Sequence, residues 1–159
     1  MSEQELLKLG TPEGPEPVPL TITTGPEDPQ QTVAGIRYKF GGKTIWVYLE
    51  RASHHVVQID VGYHGNCGGY HTEEGIKCGS SKVYNVLGAL GDPSKRRNWD
   101  FGNHPVMWLT YFNNHHSPHS LTIFNFDPGS DMSVVPVDTL QDIDLYEGEY
   151  GDFYRRAGN

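Results

Sequence analysis

Two histidines and two cysteines are closely spaced in a glycine-rich stretch over residues 62–81. They are His64, Cys67, His71 and Cys78. Imidazole nitrogens and cysteine thiolates are the ligands that hold zinc in tetrahedral structural sites. The intervals between them are less regular than in zinc modules, whose paired ligands are about two to four residues apart. A structural zinc is therefore one hypothesis, and a solvated loop with incidental histidines is the alternative.

A second group of histidines lies further along the chain, at His115, His116 and His119. If one of them, or His104, converges with His64 and His71, three neutral imidazoles can bind zinc and leave a fourth position for water. The metal would lower the pKa of that water toward ~7. Asp60 or Asp100 would then act as the general base or orient an imidazole. This set predicts a zinc-dependent hydrolase, and solvated imidazoles in a surface loop are the alternative.

Two other patterns bear on cofactors and on redox state. Acidic residues alternate with apolar ones near the carboxyl end. On a strand Asp142 and Asp144 share a face and could ligate calcium with Glu147 or Glu149, although the spacing departs from the EF-hand pattern. The alternative is the solvated outer side of an edge strand. Cys67 and Cys78 are the only cysteines. The simplest prediction is a reduced pair in a cytoplasmic protein, because no secretory leader is written in the sequence; export by another route would permit a disulfide.

Aromatic and amide side chains outside the predicted core form a third candidate site. Aromatic rings cover apolar ligand faces, while amides and carboxylates bind hydroxyl groups. We expect a non-enzymatic binding protein that recognises a glycan or a protein surface, because no catalytic motif accompanies these residues. The candidate ligand-binding residues are Trp46, Tyr48, Tyr63, Asn66, Tyr70, Asn98, Trp99, Asp100, Asn113 and Asn114.

The charge distribution excludes one class of partner. The 159 residues carry a net charge of −8, and acidic residues concentrate at both ends. A nucleic-acid backbone would require a clustered positive surface, so we expect no nucleic-acid partner. The basic cluster is the short run Lys95-Arg96-Arg97, for which an anion or the acidic ends of the chain are candidate partners. No apolar run reaches the length of about 18 residues that a membrane-spanning helix needs.

Period-two alternation of apolar residues is the main structural signal. It predicts a hairpin around Gly41-Gly42 that pairs Tyr38 with Ile45 and places Arg37 opposite Trp46, where the two can stack. Helical spacing after Ser81 predicts a helix that ends at Gly91. A capping box at Ser2-Glu3-Gln4-Glu5 predicts a short helix at the start of the chain. Further strands are predicted at 55–62, 106–112, 121–127, 132–137 and 138–146, with polar loops at 62–81 and 92–105.

These elements predict an all-β chain, an antiparallel sandwich or partly open barrel with one short helix. Residues 1–31 are acidic and rich in proline, and we interpret them as an arm that precedes a globular domain over 32–159. An extended proline-rich arm can lie along the sheet edge of a second copy, which predicts a homo-oligomer.

Overall fold

The structure is a computed structural model that describes residues 1–22, 31–42, 44–62, 66–67, 69–100, 105–112, 120–126, 139–147 and 150. Within these ranges the chain is mostly β-strand and antiparallel, so the predicted fold class is confirmed. The elements are α1 (Glu3–Leu7), β1 (Glu13–Ile22), β2 (Gln31–Phe40), β3 (Ile45–Glu50), β4 (Val56–Val61), α2 (Val83–Leu90), β5 (Lys95–Asp100), β6 (Pro105–Phe112), β7 (Ser120–Asn125) and β8 (Asp142–Glu147).

The eight strands form one open sheet in the order β1-β2-β3-β4-β8-β7-β6-β5. Two compact units divide the chain. The first comprises the described residues of Met1–Asp60, Phe112–Leu121 and Leu145–Asn159, and the second those of Val61–Tyr111 and Thr122–Asp144. Neither helix of the described residues is long and apolar enough to cross a membrane. The predicted strand at 132–137 lies outside the described residues.

The capping box predicted at the start of the chain is confirmed. The Glu5 N–H donates to the Ser2 hydroxyl at 3.3 Å, and the Ser2 N–H donates to the Glu5 carboxylate at 2.8 Å. Side chains then dock α1 onto the sheet of the first unit. The Glu3 carboxylate accepts a hydrogen bond from the Tyr38 hydroxyl and lies 2.6 Å from Nδ1 of His54. The bond to Glu3 raises the pKa of Tyr38 to about 12, so this phenol stays a donor at neutral pH.

The hairpin of β2 and β3 has the predicted faces but a different register. Tyr38, Val47 and Leu49 are buried in the core of the first unit, as alternation predicts. The predicted pairs are wrong by two residues, since Tyr38 lies opposite Val47 and Trp46 lies opposite Lys39. The connection occupies residues 41–44 rather than Gly41-Gly42 alone. A shift of two positions returns each side chain to the same face, so the core prediction survives the error.

The proline-rich segment is tied to the chain's own sheet. β1 pairs antiparallel with β2, with Val18 opposite Gly35 and Leu20 opposite Val33. Leu20 is buried and covers Gly35 so closely that a Cβ on Gly35 would lie 2.4 Å from Cγ of Leu20. β1 therefore packs on β2 through Leu20, whose side chain occupies the space that a side chain at position 35 would take. Contact of this segment with a second copy stays a prediction.

Two local predictions need correction in the second unit. Residues Lys95–Asp100 were expected in a polar loop but form β5, which pairs with β6 along its whole length. The strand pattern of these six residues is weak, but backbone hydrogen bonds to the apolar strand β6 make them a strand. The helix α2 begins at Val83 with Lys82 as its N-cap, one residue later than predicted. The hydroxyl of Ser81 instead accepts a hydrogen bond from the Lys77 N–H at 2.8 Å.

A pair of glycine substitutions tests the packing of β1. We expect Gly35→Ala to lower the free energy of unfolding by about 1–3 kcal/mol, because its Cβ overlaps Leu20. Gly88→Ala in α2 meets no atom within 4 Å and should raise stability by about 0.5–1 kcal/mol, since alanine favours the helix. Urea unfolding followed by circular dichroism measures both. Equal effects of the two substitutions would contradict the packing described for Leu20.

Candidate binding surface

Charged, aromatic and amide side chains converge on the face of the first unit opposite its core. Arg37 and Lys39 alternate along β2 with the buried Tyr38, and Trp46 and Tyr48 alternate along β3 with the buried Val47. Side chains of successive strand residues point to opposite faces, so a buried core on one side assembles this group on the other. We call it the Arg37 surface, formed by Glu16, Arg37, Lys39, Trp46, Tyr48, Gln58 and Asp60.

One carboxylate joins the two cations of the surface. Nη2 of Arg37 donates to Oε2 of Glu16 at 2.6 Å, and Nζ of Lys39 donates to Oε1 of the same residue at 2.7 Å. Glu16 lies opposite Arg37 in the β1–β2 register, which places its two oxygens between neighbouring side chains. These bonds, from Lys39 first and then Arg37, lower the pKa of Glu16 to about 2. The carboxylate is therefore charged throughout the physiological range.

Arg37 is the centre of the surface. Its guanidinium lies over the ring of Trp46, 4.9 Å from the centroid, and Arg37 lies opposite Tyr48 in the β2–β3 register. A guanidinium over an indole face is attracted by the ring quadrupole. The Nε atom is buried and has no hydrogen-bond partner among the described residues. Glu16 and Trp46 thus hold Arg37 in one position, and its buried Nε donor is unused.

The surface continues onto β4 through Tyr48. Burial first, and then the carboxylate of Asp60, raise the pKa of Tyr48, so its phenol stays neutral. Asp60 also accepts a hydrogen bond from Nε2 of Gln58 at 2.8 Å, and the same amide group is 3.4 Å from the hydroxyl of Tyr146. Each of these side chains is only partly buried. The arrangement is a fixed polar and aromatic surface that a ligand can reach.

The chemistry of this surface is suited to recognition. Its two carboxylates are bonded to cations, a phenol or an amide, and its phenol has a raised pKa. A general base near neutral pH needs a carboxyl or imidazole whose pKa lies near that pH. The carboxylate of Glu16 is far from this condition, and no histidine, cysteine or serine belongs to the surface. Arg37, Trp46 and Tyr48 can instead contribute stacking area and hydrogen bonds.

The predicted ligand-binding residues divide into three groups. Trp46 and Tyr48 lie in the Arg37 surface, on a strand rather than in a loop. Asn66 and Tyr70, between β4 and α2, and Asn98 on β5 are exposed residues of the second unit. Trp99 and Asp100 also lie on β5, where a loop was expected. The remaining three fall outside the described residues: Tyr63, Asn113 and Asn114. A ligand role for the residues beyond Trp46 and Tyr48 stays a prediction.

The two cysteines are joined in a disulfide. Cys67 and Cys78 are both buried, and their Cα atoms are 5.6 Å apart. The chain between them doubles back through a bridge of His71 with Lys77 and through a bond from the Cys78 N–H to the Tyr70 carbonyl at 3.1 Å. The structure therefore has the disulfide in place of the reduced pair that the sequence favoured. Bonded sulfurs are not thiolates, so the predicted Cys and His set lacks two ligands in this state.

The other metal hypotheses stay predictions. His71 is exposed, while His64, His104, His115, His116 and His119 lie outside the described residues. Asp142 and Asp144 lie on a strand as expected, but β8 lies between β4 and β7 rather than at an edge, and Glu149 is not described. Within the described ranges, no group of three histidine, cysteine, aspartate or glutamate residues is placed to hold a metal ion.

Sequence reasoning found part of the Arg37 surface. It placed Arg37, Lys39, Trp46 and Tyr48 on one face and predicted the stacking of Arg37 on Trp46, which the structure confirms. It missed Glu16, because residues 11–31 were interpreted as an arm rather than a strand. Glu16, Val18 and Leu20 alternate with prolines, and this period of two is the signal that indicates a strand with Glu16 on one face.

Comparison of the chain with protein-family models, with curated proteins and with solved structures finds no match. The function must therefore be inferred from the chemistry of its own residues.

The low pKa of Glu16 predicts how stability depends on pH. Its value falls from 4.5 to about 2 on folding, so the ionised carboxylate stabilises the fold above pH 4.5. That contribution is lost as the pH falls through about 2. We expect Glu16→Gln to be less stable than the wild type at pH 7 and the difference to disappear near pH 2. Glu13→Gln, an exposed residue on the same strand, is the control and should change little. Thermal unfolding across this pH range measures both, and a pH-independent difference would contradict the bonds assigned to Glu16.

The disulfide makes a separate prediction. Denatured protein should not react with a thiol-alkylating reagent until a reductant is added. It should then gain two alkyl groups, as measured by mass spectrometry. Replacing both Cys67 and Cys78 by serine should lower the free energy of unfolding by about 2–4 kcal/mol, because the unfolded chain is no longer cross-linked. Two free thiols in protein purified without reductant would show that the cysteines are not bonded.

Proposed function

We propose that this chain is a non-enzymatic binding protein and that the Arg37 surface recognises the surface of a partner protein. The observation that carries the proposal is the stacking of Arg37 on Trp46, opposite Tyr48, on a solvent-accessible sheet face. Arginine, tryptophan and tyrosine are the residues most enriched among those that dominate protein–protein binding energy. Here the three are adjacent and already fixed by Glu16 and Asp60.

Preorganisation supports the proposal. Ordering a flexible side chain at an interface costs about 0.5–1.5 kcal/mol, which is subtracted from the affinity. Glu16 and Trp46 restrain Arg37 before any partner arrives. A partner therefore meets a rigid aromatic and cationic centre.

The geometry favours a protein over a glycan. A sugar that stacks on tryptophan needs an open ring face, and the guanidinium of Arg37 already covers one face of Trp46. The surface is also charged, with two cations and two carboxylates that complement mixed polar groups of a protein. Recognition of a glycan by Trp46 and Tyr48 is the alternative that the experiment must exclude.

Site-specific cross-linking tests the proposal. A photo-reactive phenylalanine analogue replaces Tyr48 in one sample and Tyr84, an exposed tyrosine on α2 of the second unit, in the control. We expect a protein to be captured from an extract of the source organism at position 48 and not at position 84. Binding of the identified protein to the purified chain is then measured by calorimetry.

Substitutions decide whether the Arg37 surface carries that binding. We expect Trp46→Ala and Arg37→Ala each to weaken it by at least about 30-fold, as for residues at the centre of an interface. Arg51→Ala and Tyr84→Ala, both at exposed positions, should change it by less than about threefold. Equal binding by Trp46→Ala and the wild type would refute the proposal. If the chain binds on a glycan array, if Trp46→Ala abolishes that binding and if no protein is cross-linked, the ligand is a sugar rather than a protein.

A further inference from the structure

The outer edge of β5 is a second place where the chain can contact another molecule. β5 is the last strand in the sheet order and has β6 as its single strand neighbour among the described residues. An edge strand directs half of its backbone N–H and C=O groups away from the sheet. Which residues of β5 do so follows from the hydrogen bonds of β6.

The ladder of β6 fixes this direction. The carbonyl of Met107 accepts a hydrogen bond from the Phe126 N–H at 2.9 Å, so the backbone groups of Met107 point away from β5. Alternate residues of an antiparallel strand point to opposite sides, so those of Trp108 point toward β5. Trp108 lies opposite Arg97, and Met107 lies opposite Asn98. Arg97 therefore bonds to β6, while Arg96 and Asn98 direct their N–H and C=O groups outward.

The opposite edge of the sheet lacks two of these donors. The carbonyl of Ala34 accepts from the Arg51 N–H at 2.9 Å, so Ala34 and alternate residues of β2 point away from β1. Pro17 and Pro19 lie opposite Ile36 and Ala34, and so occupy the outward positions of β1. Proline has no N–H, which prevents another strand from completing a ladder there. The outward positions of β5 carry no proline.

Charge indicates what the edge of β5 can bind. Three consecutive basic residues, Lys95, Arg96 and Arg97, lie on both faces of the strand, and the side chains of Arg96 and Asn98 are exposed. Opposite charges on neighbouring strands stabilise their pairing, and like charges destabilise it. Pairing of two β5 strands from two copies would bring the basic runs together. An extended segment with carboxylates is the complementary occupant.

We propose that the outer edge of β5 binds an extended acidic peptide segment of another protein as an added strand, bonded to the backbone of Arg96 and Asn98. This mode of recognition obtains its affinity from backbone hydrogen bonds and its selectivity from side chains on the added strand. The proposal does not depend on the Arg37 surface, which belongs to the first unit.

Defined peptides test this inference on the full chain. The probe is a fluorescein-labelled ten-residue peptide in which glutamate alternates with valine or threonine. Its controls are the same peptide with lysine in place of glutamate and the same acidic peptide N-methylated at alternate residues. We expect saturable binding of the acidic peptide by fluorescence anisotropy, weakening as salt is raised, and none of either control. Slower exchange of the Arg96 and Asn98 amide hydrogens in the complex should identify the edge.

Two substitutions locate the contact. Asn98→Pro removes one outward N–H, as the prolines of β1 do, and should weaken binding by about three- to tenfold. Arg96→Glu should weaken it further through repulsion, while the exposed Arg51→Glu in the first unit should have little effect. The Arg96→Glu result and the exchange data decide the question even if Asn98→Pro unfolds the chain.

Three outcomes would overturn the proposal. The first is no binding of the acidic peptide at millimolar concentration. The second is equal binding of the N-methylated peptide, which would show attraction by charge without strand pairing. The third is dimerisation of the chain that Arg96→Glu strengthens while the acidic peptide does not bind, which would make a second copy the occupant of the edge.

Discussion

The alternation of side chains along β2 determines most of the first unit. Tyr38 points into the core, where Val47 and Leu49 cover it, and its neighbours Arg37 and Lys39 therefore point to the other face. Every contact of the Arg37 surface follows from that division, because Glu16 and Trp46 reach Arg37 only on the polar face. The hydrophobic effect thus positions the charges, although none of them belongs to the core. Disruption of the core alternation would separate the side chains of the Arg37 surface even if none of them were substituted.

The sequence predicted the sheet face that each side chain occupies better than it predicted which residues lie opposite each other. Alternation is a local property, so the polar placement of Arg37 and Trp46 could be derived without knowing which residues lie opposite each other. Register depends on the turn. Gly41 and Gly42 both have positive φ, as a two-residue turn requires, but the Thr44 hydroxyl bonds to the Gly41 carbonyl at 2.8 Å and lengthens the connection. A Gly-Gly pair is compatible with more than one turn, so the sequence does not specify the turn that the Thr44 bond stabilises.

Contacts between distant segments were beyond sequence reasoning. Glu16 meets Arg37 and Asp60 meets Tyr48 because strands pair, and nothing in the spacing of those residues specifies the pairing. β5 shows the same limit, since Lys95–Asp100 has no apolar alternation and is a strand because β6 provides the ladder. The Cys67–Cys78 disulfide depends likewise on the path of the intervening chain. That chain doubles back through a backbone hydrogen bond from the Cys78 N–H to the Tyr70 carbonyl.

The same network that fixes Arg37 also limits what the surface can do. The cation is already balanced by Glu16, so a partner gains less Coulomb attraction than it would from an unpaired arginine. Both side chains are partly exposed, and exposed pairs contribute little to stability and are screened by salt. What the network contributes is position, because Arg37 cannot move off Trp46 without losing its bond to Glu16. In the proposed binding role, a surface built in this way would favour shape and orientation over long-range attraction and would distinguish partners by fit at Trp46 rather than by net charge.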